Sequence, residues 1–228
     1  MKIKEKRVGF IGAGNMASAL ISGMISAGFK PENIIASSPG KSHLDILSNE
    51  FSVKTSNDNE LVFKESEVII FAVKPNVLKN VLEEYKNLTC ERKVLISVAA
   101  GFKISDIEDI LSPEEKIIRA MPNTPASIGS GVTAISLNKN TGSSDKQDAE
   151  NLFSCVGKVV HIQEKEMDLY TALIGSGPAY VFYLIESLLD ASSQIKLDEK
   201  TKKNMISSMI SGSSKLALMS EHSPKKLR

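Results

Sequence analysis

Cysteine is scarce in this sequence, and that scarcity excludes two common architectures. Cys90 and Cys155 are the only two in 228 residues. Each sits among apolar or strand-like neighbours, so neither a disulfide framework nor a thiolate metal site is expected, and a reducing compartment fits. Histidine is nearly as sparse. His43, His161 and His222 lie far apart with no second potential ligand at i+4, which leaves each a packing or surface role and predicts no metal. An excess of one charge is also missing. A formal net charge of +1 gives no electrostatic reason to expect nucleic acid or an anionic membrane as a partner. No segment reaches the ~18 uninterrupted apolar residues that spanning a bilayer needs. The basic opening, residues 1–7, runs into a stretch broken by glycines with no small-residue cleavage site, so no secretory signal is read and a cytoplasmic protein is expected.

What is present is ordinary globular material: 42% hydrophobic and 24% charged residues, in a chain long enough for one large domain or two smaller ones. From Arg7 to about Arg119, short β-branched runs alternate with helical patterns, the signature of a parallel α/β sheet. Strands are predicted at 8–11, 33–36, 53–55, 68–73, 94–98 and 116–119. The continuously apolar Val68-Ile69-Ile70-Phe71-Ala72-Val73 suits a central strand covered on both faces. Met16, Leu20, Met24 and Ala27 recur at helical spacing. Residues 122–144 turn to Pro, Gly, Ser, Thr and Asn around a strand-like stretch at 132–137, which reads as a linker or as the edge of the sheet. A last strand is predicted at 159–162. Two helices follow, about 178–194 and 199–220. The first offers Val181, Phe182, Leu184, Ile185, Leu188 and Leu189, a stripe too wide for a helix with one face in water. It is expected to bury that surface against another subunit, or alternatively against its own sheet domain. The domain boundary is placed between 162 and 163.

Gly12-Ala13-Gly14-Asn15-Met16-Ala17 directly follows the first predicted strand and opens a helix. In that context Gly12 permits the tight turn, Gly14 lets backbone approach a pyrophosphate, and Ala17 allows close helix–strand packing. The free amides and dipole of the helix start then face the phosphates. At the end of the second strand, where an NAD site carries an acidic residue, the sequence reads Ala36-Ser37-Ser38-Pro39-Gly40-Lys41. No carboxylate repels a 2′-phosphate there, the hydroxyls of Ser37 and Ser38 can donate to it, and Lys41 adds positive charge, so NADPH is favoured with NADH possible. The same string is also a common turn composition. Ala72-Val73-Lys74-Pro75 and Ala99-Ala100-Gly101 close two further strands at the sheet end where ligands bind. Lys74 reads as a cofactor contact or as a solvated charge. Met121-Pro122-Asn123-Thr124-Pro125, a loop stiffened by two prolines, reads as a pocket wall or a turn. Gly175-Ser176-Gly177-Pro178-Ala179-Tyr180 opens the helical part.

Taken together, these segments resemble the pyrroline-5-carboxylate reductase family from Arg7 to the last residue. The resemblance implies a Rossmann-type doubly wound sheet followed by an all-α dimerisation domain, NAD(P)H as hydride donor, and a homodimer or higher homo-oligomer. It implies cofactor contacts at Ile11, Gly12, Ala13, Gly14, Asn15, Met16, Ser38, Asn59, Ala72, Val73, Lys74, Pro75 and Ala100. Glu164 falls on the substrate side, together with Asn123, Thr124, Ser176 and Gly177 as pocket candidates. The implied reaction is hydride transfer from NADPH to the C=N carbon of 1-pyrroline-5-carboxylate, giving L-proline. An iminium arriving protonated is already electrophilic, so orientation carries the catalysis and no catalytic side chain is named. Ser223-Pro224-Lys225-Lys226-Leu227 resembles a family segment that precedes a carboxylate-binding Ser-Pro-Gly-Gly-Thr-Thr loop, whereas this sequence ends at Arg228. A chain with an incomplete helical part is therefore expected to bind NADPH but turn over the imine poorly. Two alternatives stand beside this reading: a non-catalytic NADP-binding or assembly partner, and a related hydroxyacid dehydrogenase. The dehydrogenase class generally has an acid–base residue early in the helical part, and residues 175–180 contain none.

Overall fold

A computed structural model describes residues 3–86 and 93–228; Cys90 lies outside them. The first half alternates strand and helix: β1 (Val8–Ile11), α1 (Asn15–Ser26), β2 (Ile34–Ser37), α2 (Lys41–Phe51), β3 (Lys54–Ser56), α3 (Asn59–Glu65), β4 (Val68–Phe71), α4 (Pro75–Tyr85), β5 (Val94–Ser97), α5 (Ile104–Ile110) and β6 (Lys116–Met121). These strands pair in parallel in the order β3-β2-β1-β4-β5-β6, the doubly wound Rossmann order. Chain segments leaving β1 toward β2 and leaving β3 toward β4 diverge on either side of β1, and that divergence opens a crevice at the carboxyl ends of the strands.

The region left open between linker and sheet edge continues the sheet. β7 (Gly131–Leu137) pairs antiparallel with β6, and β8 (Gly157–His161) pairs parallel with β7 after α6 (Ser143–Ser154). The connection from β6 to β7 is one short helical turn, Thr124–Ile128. So short a link cannot make the crossover that a parallel pair requires, so the direction reverses. β2 and β8 each start or end a residue or two away from the predicted limits, the usual uncertainty at element ends.

Both faces of the sheet are covered. Leu20, Ile21 and Met24 of α1, Leu47 of α2 and Phe153 of α6 pack on one side with Val8, Phe10 and Ile70. Phe63 of α3, Leu78 and Leu82 of α4 and Ile107 of α5 pack on the other with Ile69 and Phe71. β4 therefore buries both of its faces, as its unbroken apolar run requires.

The chain divides into two compact units, up to Ser176 and from Gly177. The first ends in α7 (Met167–Tyr170) and a π-helical turn, Thr171–Gly175. The second holds α8 (Gly177–Ala191), α9 (Glu199–Met219) and α10 (Pro224–Leu227), with α8 packed on α9. The stretch Glu164–Gln194 is long and apolar enough, by length and composition, to cross a membrane. In the second unit the predicted α8 stripe is exposed at Val181, Phe182 and Leu184 and half-buried at Ile185, Leu188 and Leu189, while Tyr183 beside it is 71% accessible.

Gly157 shows how tightly the added strand is set. Its φ is +147°, and a Cβ there would stand 2.0 Å from the Gly131 carbonyl oxygen. Gly157→Ala is expected to destabilise the first unit by about 3 kcal/mol or more, through left-handed strain plus overlap with backbone. A urea midpoint unchanged from the parent would contradict this packing.

Candidate functional site

The crevice is built on the turn from β1 into α1. Gly12 has φ +105°, and a Cβ on it would lie 2.4 Å from the Ala72 carbonyl oxygen, so only glycine passes here. Its N–H donates to the Ser37 carbonyl at 2.8 Å, while Ala72 N–H donates to Ile11 at 2.8 Å, tying the ends of β1, β2 and β4 together. Gly14 serves differently. It is the N-cap of α1 in an extended conformation without a side-chain cap, and a Cβ on it would meet nothing within 4 Å. The first-turn amides of α1 thus face open space, a ready anion cradle.

Two adjoining lobes form the cleft. The larger, of about 640 Å³, is lined by Ile11 to Gly14, Ser37, Ser38, Asn59 and Ala72 to Lys74, with Pro39, His43, Asn57, Asp58, Val77, Val81, Glu84 and Tyr85. The smaller, of about 450 Å³, is lined by Gly14, Asn15, Met16, Ala72 to Pro75, Val98 to Ala100, Met121 and Pro122. Every cofactor contact implied by the resemblance, and Ser37 with them, falls in one lobe or the other.

Their side chains are not equally free. Ser37 is fully buried, and its hydroxyl donates to Asn59 Oδ1 at 2.6 Å and lies 3.3 Å from the Phe10 carbonyl. It therefore positions Asn59, which corrects the expectation that it donates to a phosphate. Ser38 accepts the Gly40 N–H at 3.3 Å, and its own proton remains available. Asn57 Nδ2 donates to the Ser38 carbonyl at 2.9 Å and so shapes the same corner. Lys41 is exposed at the first position of α2 and does not line the cleft; His43, two residues on, does. Two carboxylates that the second-strand string did not reveal also stand in the wall. Asp58 is occupied in capping α3, accepting from Glu60 N–H at 2.8 Å, and Glu84 accepts from the Tyr85 hydroxyl at 3.1 Å. Burial first, then that hydrogen bond, pushes Tyr85 up to about 12, so it stays a neutral phenol at physiological pH.

The substrate-side candidates divide: Asn123 meets the π-helical turn that ends at Ser176, whereas Glu164 lies in a separate cluster. Asn123 is buried, donating to the Ile174 carbonyl at 3.1 Å and accepting from Val132 N–H at 2.9 Å. That is a structural bridge from the start of β7 to the π-helical turn. Thr124 is exposed. Ser176 closes the first unit, its N–H on the Thr171 carbonyl at 2.8 Å, and Gly177 opens the second. Glu164 stands away from the cleft with Lys103, Arg119, Lys165 and Asp168 around a cavity of about 370 Å³. Arg119, whose side chain is 3% exposed, was read from sequence only as strand. Its signal was a charge inside an apolar run, which requires a buried partner.

Fold and cleft together define a Rossmann-type oxidoreductase with a separate helical unit. Residues 7–101 match the family described as "NADP oxidoreductase coenzyme F420-dependent", and residues 164–228 match "Pyrroline-5-carboxylate reductase dimerisation". The chain is 37% identical to the pyrroline-5-carboxylate reductase of Methanosarcina acetivorans over 99% of its own length and 84% of the relative's. With the Arabidopsis thaliana enzyme of that name it shares 38% over 90% and 75%. A crystal structure of Plasmodium falciparum pyrroline carboxylate reductase with NADP bound superposes with a TM-score of 0.90 at 34% identity, covering 98% of this chain and 83% of that one. The chain belongs to the pyrroline-5-carboxylate reductase family.

Asn123→Ala should cost about 2–3 kcal/mol, since a buried amide and a carbonyl lose their partners together. Thr124→Ala next door should stay within about 0.5 kcal/mol. Equal urea midpoints for the two variants would refute the bridging role.

Proposed function

We propose that this chain reduces 1-pyrroline-5-carboxylate to L-proline, the closing step of proline synthesis, with NADPH as donor and NADH as a poorer substitute. The observation that carries the reading is the glycine-built cradle at the strand ends, in a chain that spans 84% of a relative carrying that enzyme's name. The residues fit a dinucleotide: the gap over Gly14 and the uncapped start of α1 take a pyrophosphate. When bound, the dinucleotide supplies a hydride from its nicotinamide ring.

The chain's own residues then bind and orient. Ser38, Asn57 and His43 form the corner beside the end of β2, where the adenosine ribose of a doubly wound fold lies. Ala99 and Ala100 leave room for a flat ring close to backbone in the smaller lobe. Tyr85 contributes an uncharged wall. Asn123 and Glu164 are committed elsewhere, so we assign the substrate side to Thr124 and to the turn that ends at Ser176, with Gly177 following it in the chain. The non-catalytic alternative is not favoured by relatives that carry an enzyme's name over nearly the whole chain. We infer that a second copy of the chain covers the exposed Tyr180, Phe182 and Tyr183 of α8. The near-balanced charge and two cysteines are in keeping with the cytosol.

The direct test is oxidation of NADPH on addition of pyrroline-5-carboxylate; a chain that binds NADPH yet shows no turnover would return the non-catalytic reading. NADPH should bind more tightly than NADH. Ser38→Asp should weaken NADPH at least about tenfold, because ~1.4 kcal/mol of repulsion suffices for that factor. Identical dissociation constants for the two cofactors in the parent would sink the assignment of this corner. Gly14→Val should weaken both cofactors by about tenfold or more without unfolding the protein, its side chain entering space that only a ligand fills and costing no more than the poorer N-cap. Tyr183→Glu should shift the chain toward monomer by light scattering, as a charge on an apolar interface is left unpaired.

A further inference from the structure

Glu164 stands where three elements meet, outside the cleft. Its Oε1 accepts the Ile104 N–H, the first amide of α5, at 2.6 Å and lies 3.4 Å from Arg119 Nη1. Arg119 Nη2 donates to Asp168 Oδ1 at 2.9 Å. Arg119 projects from β6 opposite Ser97, the last residue of β5. Between that residue and Ile104 runs the loop 98–103, whose Ala99 and Ala100 line the smaller lobe. One end of the loop is fixed by the sheet. At the other end Asp106 takes the Lys103 N–H at 2.8 Å, and the next amide belongs to Glu164.

We propose that Glu164 is a positioning residue for the loop 98–103, held in place by the buried guanidinium of Arg119, and that it does not meet the substrate. This rests on the reading that the smaller lobe receives the nicotinamide ring. The start of the loop is anchored, Val98 N–H on the Phe71 carbonyl at 3.2 Å and Ala99 N–H on the Ser97 hydroxyl at 3.3 Å, but past Ala100 the positive φ of Gly101, +73°, lets its far end swing. A carboxylate aimed at the first amide of α5 removes that freedom, and an arginine with a side chain 3% exposed fixes the carboxylate in turn. Asp168, mostly exposed, balances the second half of the guanidinium fork. Lys103 and Lys165 flank the cluster and offset the excess negative charge of two carboxylates on one guanidinium.

The test compares Glu164→Ala with Glu164→Gln in the full chain. A glutamine keeps an oxygen for the Ile104 amide but loses the charge; alanine loses both. Glu164→Ala should lower kcat by about tenfold to a hundredfold, because a shift of the order of an ångström at a reacting ring costs that much, while NADPH affinity changes by less than about threefold. The isotope effect on kcat with NADPH deuterated at the transferred position should rise, since hydride transfer becomes slower than the other steps. Glu164→Gln should recover most of the rate. Amide exchange read at Ile104 should be slow in the parent and in Glu164→Gln, and fast in Glu164→Ala. Glu164 is partly exposed, and matched melting temperatures confirm that both variants fold. A glutamine variant as slow as the alanine one, or unchanged protection of Ile104 in Glu164→Ala, overturns the proposal. Failure of the parent to reduce the imine would count against the proposed activity alone, because the exchange measurement needs no turnover.

Discussion

The cleft depends on one close approach, that of Gly12 to the end of β4. With φ +105° and the Ala72 carbonyl where a Cβ would be, this residue lets β1 turn sharply between its two neighbours while still donating to the Ser37 carbonyl. Three strand ends are thereby held in register at the point where the chain diverges to either face. α1 begins directly above them, its first amides turned toward the gap over Gly14. A larger residue at Gly12 would push β4 away and lift Ala72 to Lys74 out of the wall, so both lobes depend on it.

Most of this was legible because it is local. Strand, glycine turn and helix follow one another within residues 8–26, and hydrophobic period distinguishes the covered strands from the amphipathic helices between them. The same local logic would have separated Ser37 from Ser38. Side chains alternate along a strand, Ile35 packs toward Phe63 and Leu78, and Ser37 two residues on must point the same way, into Asn59. What the sequence did not disclose comes from distance. His43, Asn57, Asp58 and Tyr85 reach the larger lobe from three loops and helices far apart in the chain, and no spacing rule links them. Likewise, the reversal at β6–β7 follows from a short connection that also reads as a linker until the pairing is seen.

The acidic stretch before the π-helical turn shows how similar residues diverge in role. Glu166 takes the Gln163 N–H at 3.0 Å and closes its own turn. Asp168 and Glu164 instead reach across to Arg119, which lies on the same face of β6 as Ile117 and Met121. A buried guanidinium without partners would be too costly to keep, so its presence on an apolar strand implies carboxylates arriving from elsewhere. Together with Tyr170, whose hydroxyl donates to the Val132 carbonyl at 2.9 Å, and Asn123 on Ile174, that pair fastens residues 164–175 to the sheet by polar contacts at three separated points. A segment so fixed can keep a wide π turn, a geometry that recurs at functional positions.

The helical unit follows a different rule. Among the described residues from Gly177 onward, only Ser192 and Lys202 are buried, and both are polar. Tyr180, Val181, Phe182, Tyr183 and Leu184 of α8 are left exposed although α8 and α9 pack on each other. Two helices of this kind bury too little apolar surface to offset the entropy of ordering them. Stability must then come from surface that these helices do not themselves supply. The sheet unit carries a complete core on each face and needs no such help. Both lobes of the cleft are lined only by residues of that unit, so the proposed cofactor site takes no side chain from the helices of the second.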